Sequence, residues 1–203
     1  MPFNVSTFKA SLADWGYLKA NHFDVIVTPP PILTGKSFNY GGASTPVSEI
    51  ARELKFRVQQ ARLPGIDLQT VDYARYGLGL TQKHPLNTAM KDSSFIMLSD
   101  GYGDIYQFWY NWCRSISDFN GVQNTNNTEI PAMYTMEYRD NYASIITLCV
   151  YDILGNLILK YNFNEAFPIC LNETPLAWEN NNNLLAINVI FSYKSFNLEG
   201  ASF

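Results

Sequence analysis

The segment from Arg62 to Ile116 constrains the fold of this chain more than any other. It contains, in order, a corner (RLPGID), a ribbon rich in aromatic residues and glycine (VDYARYGLGLTQKHP), a short apolar strand (SSFIMLSD) and a helix (DIYQFWYNWCRSI). None of these pieces carries a plausible reaction centre, although the ribbon and the helix hold many large side chains. We therefore expect a protein that binds other proteins, most simply copies of itself.

The last of these pieces predicts an amphipathic helix from Asp104 to Ile116. Its apolar residues recur at helical spacing and form one stripe, which consists of Ile105, Phe108, Trp109, Trp112 and Ile116. A stripe with two tryptophans is typical of a helix packed on a sheet. We therefore expect Trp109 and Trp112 to anchor the core.

Most of the remaining periodicity is that of β-strands. Alternating apolar residues predict strands at 22–28 and 53–60, and a hairpin that consists of 144–151, a turn at 152–156 and 157–163. A last strand has one apolar face, formed by Leu185, Ile187, Val189, Phe191 and Tyr193. In the strand at 53–60 we expect Leu54, Phe56 and Val58 to point inward. A short N-terminal helix capped by Ser6 completes the predicted elements.

Several segments lack a clear period. Residues 29–51 are rich in Gly, Ser, Thr and Pro and are expected to form a long loop or insertion. Residues 117–133 are expected to be loop, and Asn180 to Asn183 to form a turn. About 68–92 is expected to be an extended ribbon. We interpret residues 1–203 as a single, mainly β (α+β) domain.

The composition favours protein contacts. Only 16% of the 203 residues are charged, whereas about a quarter is usual, so the surface must be rich in uncharged polar residues and tyrosine. A formal net charge of -4 argues against broad phosphate binding. No apolar run approaches the roughly 20 residues of a membrane span, and no signal peptide is recognisable. We therefore expect a soluble protein made in the cytosol.

Motifs for phosphate binding are incomplete. The sequence GKS at 35–37 has Pro30 where a phosphate loop requires its first glycine. The sequence GLG at 77–79 has Gln82 where a dinucleotide fingerprint requires its third glycine, and it lies in an extended segment. Neither motif predicts a cofactor.

Residues that often act in catalysis or metal binding are scattered. His22 and His84 have no partners at the spacing of a metal site or a nucleophile–base pair. The three cysteines, Cys113, Cys149 and Cys170, form no CxxC motif and predict neither a disulfide framework nor a zinc site. We expect no enzymatic activity, no metal and no cofactor.

Four pieces of the chain, taken in their order, resemble the tail tube proteins of contractile-tailed, T4-like bacteriophages. The opening MPFNVSTFKASLADWGYLKANHFDVIV is similar to the family's N-terminal helix and first strand. RVQQARLPGIDLQTVDYARYG is similar to its strand and corner, and SSFIMLSDGYGDIYQFWYNW to its strand, acidic turn and aromatic helix. The ending AFPICLNETPLAWENNNNLLAINVIFSYKSF is similar to its last unit. The resemblance covers nearly the whole chain.

The resemblance implies a fold and an assembly. The fold consists of two packed antiparallel sheets that form a sandwich or half-open barrel, with one flanking helix and a short N-terminal helix. Six copies close a ring, their sheets join edge to edge into one barrel, and rings stack into a hollow tube for DNA delivery. Closing a ring pairs the backbone N–H and C=O groups at sheet edges that would otherwise lack partners.

The resemblance also implies partners and a location. Expected partners are the tail sheath, the baseplate and the tail terminator, while the tape measure protein and DNA pass through the lumen without sequence-specific binding. The protein would be assembled in the host cytoplasm and reside in the virion tail. The expected subunit interface consists of Tyr73, Arg75, Tyr76, Leu78 and Leu80 on the ribbon, with Tyr151 and Tyr161 on the hairpin.

Other interpretations stay open at the level of sequence. The chain departs from the family pattern at 29–51, at 117–131 and in GLGLTQKHPLN. The main tube subunit and the tube initiator at the baseplate are therefore both compatible with it. A soluble β-sandwich binding module and a hydrolase with a site formed by loops are the alternatives from other classes.

Overall fold

The computed structural model describes residues 5–6, 9, 18–40, 43–74, 77, 79–117, 122–125, 128–131, 136–178 and 184–200. Within these residues the chain is mainly β, with antiparallel strands and few helices. The predicted fold class is therefore confirmed.

The strands and helices follow one another in a mixed order. The strands are β1 Phe23–Val27, β2 Ser37–Tyr40, β3 Ala43–Pro46, β4 Val58–Ala61, β5 Ile66–Tyr73, β6 Gln82–Met90, β7 Ser93–Leu98, β8 Val122–Thr125, β9 Thr128–Pro131, β10 Ser144–Tyr151, β11 Leu157–Leu171, β12 Ala186–Ser192 and β13 Ser195–Gly200. The helices are α1 Val47–Arg57, α2 Asp104–Ile116 and α3 Arg139–Tyr142, and a 3-10 helix spans Pro31–Leu33.

A seven-stranded sheet forms the body, and its long strand β11 belongs to two halves. The first half-sheet has the order β1–β10–β11–β13, and the second half-sheet has the order β11–β12–β7–β4. All of these pairings are antiparallel. No pairing among the described strands closes the sheet into a barrel, so the body has open edges.

Strand β11 passes from one half-sheet to the other at Glu165. This residue has a φ of +50°, a region that residues other than glycine rarely adopt. Its carboxylate forms ion pairs with Arg139, at 2.9 Å, and with Lys194. The hydrogen bond from Lys194, followed by the charges of Lys194 and Arg139, lowers the pKa of Glu165. The two cations thus hold the bend in place.

The core lies between the sheet and the helices, and α2 provides its largest side chains. Trp109 and Trp112 are fully buried, and their rings stack with centroids 5.3 Å apart. The indole N–H of Trp109 donates to Met97 Sδ at 3.3 Å, and that of Trp112 donates to the carbonyl of Tyr142 at 2.8 Å. Both polar atoms are therefore satisfied inside the core, as a buried tryptophan requires.

Helix α1 replaces the first part, residues 53–57, of the strand that the sequence pattern predicts at 53–60, whereas residues 58–60 belong to strand β4 as predicted. Leu54 is buried as expected, but Phe56 is 73% exposed. The buried residues of α1 are Val47, Ile50, Ala51 and Leu54, which recur at helical spacing. The alternation of Leu54, Phe56 and Val58 was misleading because the pattern of a helix and that of a strand overlap over so few residues.

The segments expected to be loops contain regular structure. Residues 29–51 hold the 3-10 helix, the β2–β3 hairpin and the start of α1. Within 117–133, β8 and β9 pair as a short hairpin. Both loop predictions were wrong in these parts, because strand pairing is not visible as a period in segments of four residues.

The other predicted elements were largely correct. β1 lies within 22–28, α2 has the predicted bounds, and β10 pairs with β11 as the predicted hairpin, although β11 continues to Leu171. Of the predicted apolar face, Ile187, Val189 and Phe191 in β12 and Tyr193 after it are buried, whereas Leu185 is 39% exposed. Of the N-terminal helix, Val5, Ser6 and Lys9 are helical, and the rest lies outside the described residues, as does the turn at 180–183.

Candidate assembly surfaces

Strands β5 and β6 pair with each other and with no other described strand, so they form a separate two-stranded ribbon. Ile66 pairs with Met90 near the body and Tyr73 pairs with Gln82 at the far end, with one register shift at Gln69–Thr70. Every residue of β5 is exposed, and so is every residue of β6 except Ala89. The segment expected to be an extended ribbon therefore leaves both faces uncovered in the single chain.

The ribbon exposes many apolar side chains. Those with large exposed fractions are Ile66, Leu68, Val71, Tyr73, Leu80, Leu86 and Met90. Exposed apolar side chains that are scattered singly are normal, but a contiguous set marks a site of interaction. The ribbon is thus a candidate contact surface for another protein chain.

Two of the predicted interface residues on the ribbon are described. Tyr73 is 58% exposed, and its ring meets the edge of the His84 ring at a centroid distance of 5.7 Å. Leu80 is 96% exposed. Arg75, Tyr76 and Leu78 lie outside the described residues.

The two predicted tyrosines of the hairpin formed by β10 and β11 lie in different environments. Tyr161 is half-buried against the core, with its ring 6.3 Å from that of Phe196. Tyr151 is half-buried beside Cys149 and Asp24, and burial, followed by the charge of Cys149, raises the pKa of Tyr151 to about 12. The structure therefore does not bring these two side chains together.

The first half-sheet has two open edges. Within the described part of the chain, β1 pairs only with β10, and β13 pairs only with β11. The outer edge of each strand therefore has no strand partner, although helix α1 contacts β1 and its Lys55 forms an ion pair with Asp24 at 3.0 Å. Such edges are templates for pairing with another chain.

A polar network crosses one face of the first half-sheet. The hydroxyl of Thr147 on β10 donates to the Asn162 amide oxygen on β11 at 3.0 Å. The Asn162 amide nitrogen donates to Glu199 on β13 at 2.9 Å, and Lys160 pairs with the same carboxylate at 2.8 Å. The hydrogen bond to Glu199 raises the pKa of Lys160. The face therefore carries polar groups that are already paired with one another.

A groove at the far end of the second half-sheet was not predicted. It has a volume of about 910 Å³ and lies between the loop at 174–178 and the strand ends at Gln59, Leu98 and Ala186. The lining residues that the structure describes are uncharged. Trp178 in this loop is fully exposed. The sequence contained a signal, since a tryptophan between Pro175 and an asparagine run lies outside every periodic segment.

Potential metal ligands and the cysteines are the remaining candidate groups among the described residues. Within them, no group of three or more His, Cys, Asp or Glu side chains could hold a metal ion. The cysteines are free, and burial, followed by the charge of Cys170, raises the pKa of Cys113 to about 11. A thiol with a raised pKa is a poor nucleophile. No described helix is long and apolar enough to cross a membrane.

Solved structures share this fold. The chain is similar to one in a cryo-EM structure of the anti-feeding prophage baseplate, with a TM-score of 0.57 and 8% identity, over 92% of this chain and 98% of that chain. It is similar to one in the anti-feeding prophage cap, with a TM-score of 0.54 and 14% identity, over 91% and 92%.

A third similar chain is in the sheath-tube complex of the extracellular contractile injection system PVC in its extended state. The TM-score is 0.51 at 14% identity, over 95% of this chain and 97% of that chain. At such identities the likeness is one of fold. No curated protein matches the sequence.

The sequence matches a family model over most of its length. The model is described as "Phage tail tube protein" and matches residues 18–199, which include the ribbon, both half-sheets and α2. The chain belongs to the phage tail tube protein family.

Proposed function

We propose that this chain is the subunit of a phage tail tube in which six copies close a ring and rings stack into a conduit for DNA. The observation that carries the proposal is the pair of open edges, β1 and β13, on one half-sheet. Closing a ring through these edges would pair the unsatisfied backbone groups of every copy. This is the arrangement that the resemblance in sequence implies.

The number of strands in the first half-sheet suits ring closure. Its four strands alternate in direction, so β13 runs antiparallel to β1 of the same copy. When copies are related by rotation about a ring axis, β13 of one copy meets β1 of the next in antiparallel orientation. An even number of alternating strands therefore continues the sheet around the ring without a change of pairing type.

The polar face of the first half-sheet suits the lining of a conduit. Thr147, Asn162, Lys160 and Glu199 use their polar atoms on one another. A lining whose charges are already paired offers few free cations to phosphate groups, so DNA and a tape measure protein could pass without being held. The opposite face carries Ile146, Leu148 and Phe163, which belong to the core.

The ribbon is proposed to contact neighbouring copies. Tyr73 and Leu80 are exposed on it, and Arg75, Tyr76 and Leu78 belong to the same segment of the sequence. Tyr151 and Tyr161 lie on the β10–β11 hairpin of the half-sheet that would form the ring. Tyrosine and arginine are enriched among the few residues that provide most of the binding energy of protein interfaces.

The proposed partners follow from the role of a tube. Similar solved chains come from a baseplate, a tube-terminating cap and a sheath-tube complex. We accordingly expect this chain to contact a tail sheath, a baseplate and a tail terminator. It would be assembled in the host cytoplasm and remain in the virion tail.

The proposed role requires no catalysis and no metal. Elemental analysis of protein purified without added metal is expected to find none at stoichiometric amounts. Stoichiometric zinc or iron would contradict this part of the proposal.

Two neighbouring residues on β13 provide a matched test of ring closure. Asn197 and Leu198 are both exposed, and in an antiparallel ladder the N–H of one points to β11 while that of the other points to the open edge. Proline removes an N–H. Asn197→Pro and Leu198→Pro, made separately, should therefore differ in their effect on ring formation and on folding. Only one of them removes the N–H of the outer edge while it leaves the pairing with β11 intact.

The readout is electron microscopy, with thermal unfolding as the control for folding. The wild type should form rings and stacked rings, and one proline variant should stay folded without forming rings. Rings in every folded variant would contradict ring closure through β13. A single capped ring of the wild type would indicate a tube initiator, and a monomer that binds a ligand would indicate a soluble binding module.

A further inference from the structure

A single row of side chains crosses all four strands on the polar face of the first half-sheet. The strand register pairs Asp24 on β1 with Cys149 on β10, Cys149 with Lys160 on β11, and Lys160 with Glu199 on β13. Residues directly opposite one another in antiparallel strands point to the same face. Val25, the neighbour of Asp24 along β1, belongs to the core, so the row lies on the face turned away from the core.

An ion pair lies at each end of this row. At the β1 end, Lys55 of α1 pairs with Asp24 at 3.0 Å, and α1 contacts β1. At the β13 end, Lys160 pairs with Glu199 at 2.8 Å. Burial raises the pKa of the Cys149 thiol between them, so Cys149 carries no charge at neutral pH. From β1 to β13 the signs of the charges are therefore positive, negative, positive and negative.

The two open edges of the half-sheet consequently end in opposite charges. The β13 edge ends in the carboxylate of Glu199, whose side chain is 55% exposed. The β1 edge carries the ammonium group of Lys55, whose side chain is 36% exposed. An ammonium group has three donors and a carboxylate has about four acceptor sites. Each group can therefore take a further partner without giving up the one it has in its own chain.

We propose that Glu199 of one copy forms an ion pair with Lys55 of the next copy where β13 meets β1. This inference rests on the proposed function, since it assigns the contact that sets the register between neighbouring copies in a ring. The alternating charges of the row then continue from one copy to the next around the whole ring.

Backbone pairing alone does not fix the register of this seam. A shift of β13 along β1 by two residues keeps every side chain on its own face. It would move Glu199 by about 7 Å relative to the next copy and so separate it from Lys55. An exposed ion pair adds little to the strength of a contact, but complementary charges fix the register and disfavour wrong arrangements. Lys55 and Glu199 thus specify the pairing that the backbone groups hold together.

Mixing two charge-reversed variants tests the contact. In Glu199→Lys two cations meet at every seam, and in Lys55→Glu two carboxylates meet. Each variant alone should form at least about tenfold fewer rings at low ionic strength, because like charges opposite one another on a sheet are destabilising and every seam of the ring adds to the effect. An equimolar mixture should recover rings, since opposite charges meet at every seam when the two variants alternate.

Native mass spectrometry reads the composition of the rings when one variant carries a heavy-isotope label. A ring of six alternating copies contains three of each variant. The control replaces Lys55→Glu in the mixture with Lys160→Glu, which reverses the partner of Glu199 within its own copy. This mixture should give no alternating rings, and its rings should consist mainly of Lys160→Glu copies. Circular dichroism shows which variants are folded.

Neutral variants test the same contact with a smaller disturbance of the fold. Glu199→Gln and Lys55→Gln should each raise the concentration at which rings form by about twofold to fivefold, the range for an exposed ion pair. The double variant should be no worse than either single variant, because the two changes remove one shared interaction.

Three results decide the matter. Independent, additive effects of the two neutral variants overturn the inference, and so does a mixture of folded charge-reversed variants that gives no rings. In both cases, rings of the wild type leave the proposed function standing. Absence of rings in the wild type overturns the proposed function and the inference together.

Discussion

Helix α2 and the ribbon are close in sequence and both carry large apolar side chains, yet the fold places these side chains in opposite environments. In α2 the apolar stripe is fully buried, with Trp109 and Trp112 stacked and hydrogen-bonded inside the core. In the ribbon, Tyr73, Leu80 and Leu86 remain in water. The difference shows that α2 stabilises the single chain, whereas the ribbon has apolar surface that the described part of the chain leaves uncovered and that, in our proposal, another copy covers.

The largest expected effect concerns the core side of this comparison. Trp109→Ala should lower the free energy of unfolding by about 3–5 kcal/mol, the range for truncating a large buried aromatic residue. Trp178→Ala is the matched control, since this tryptophan is fully exposed. It should change the free energy of unfolding by less than about 0.5 kcal/mol. Denaturant unfolding of both variants makes the measurement. Equal losses would contradict the assignment of α2 as the core anchor.

The second prediction concerns the ribbon side. Leu80→Asp should prevent formation of tubes while leaving the free energy of unfolding of the subunit unchanged, because a carboxylate buried without a partner costs about 3–5 kcal/mol in the assembly only. Sedimentation and circular dichroism separate the two effects.

Tyr138→Asp is the control for Leu80→Asp. Tyr138 is 82% exposed and occupies the N-cap of α3, where aspartate is favourable. This variant should assemble normally. If Leu80→Asp forms tubes as readily as Tyr138→Asp, the ribbon does not contribute to assembly.

A smaller effect is expected from salt. The ribbon exposes only three charged residues among those described in its two strands, Asp67, Asp72 and Lys83, beside its many apolar ones, and the described residues that line the groove are uncharged. Raising the salt concentration to about 0.5 M screens charges but should leave tubes intact in light scattering. Dissolution of the tubes would show that ion pairs, and not apolar burial and backbone pairing, hold the copies together.

The smallest effect is a pH dependence of the body. The pKa of Glu165 is lowered below its ordinary value near 4.5, so its ion pairs stabilise the fold above that pH, and this contribution is lost as the pH falls through the folded-state pKa. Glu165→Gln should therefore lower the Tm at about pH 7, whereas at about pH 3 the Tm of the variant should approach that of the wild type. A constant difference in Tm across this range would contradict the role of the ion pairs.

The sequence predicted those parts of the fold that depend on a local period. The stripe of α2 covers several turns, and the hairpin formed by β10 and β11 alternates over many residues, so both were found. The last turn of helix α1, residues 53–57, has the alternation of a strand, and the helical spacing appears only when Val47 and Ile50 are included. Tertiary contacts decide between the two periods in so short a segment.

The candidate contact surfaces were predicted only in part. The ribbon was recognisable because an extended segment rich in Tyr and Leu cannot bury both faces in a small domain. The open edges of β1 and β13 depend on which distant strands pair, from residue 23 to residue 200, and no local pattern shows this. Trp178 was missed as a surface residue because tryptophan usually predicts burial.

Cryo-electron microscopy of the full-length protein, assembled at high concentration, tests the central claim most directly. The account predicts sixfold rings in which β13 of each copy pairs antiparallel with β1 of the next, with the ribbon covered by a neighbouring copy. A protein that stays monomeric at high concentration, or rings in which β1, β13 and the ribbon remain exposed to solvent, would contradict it.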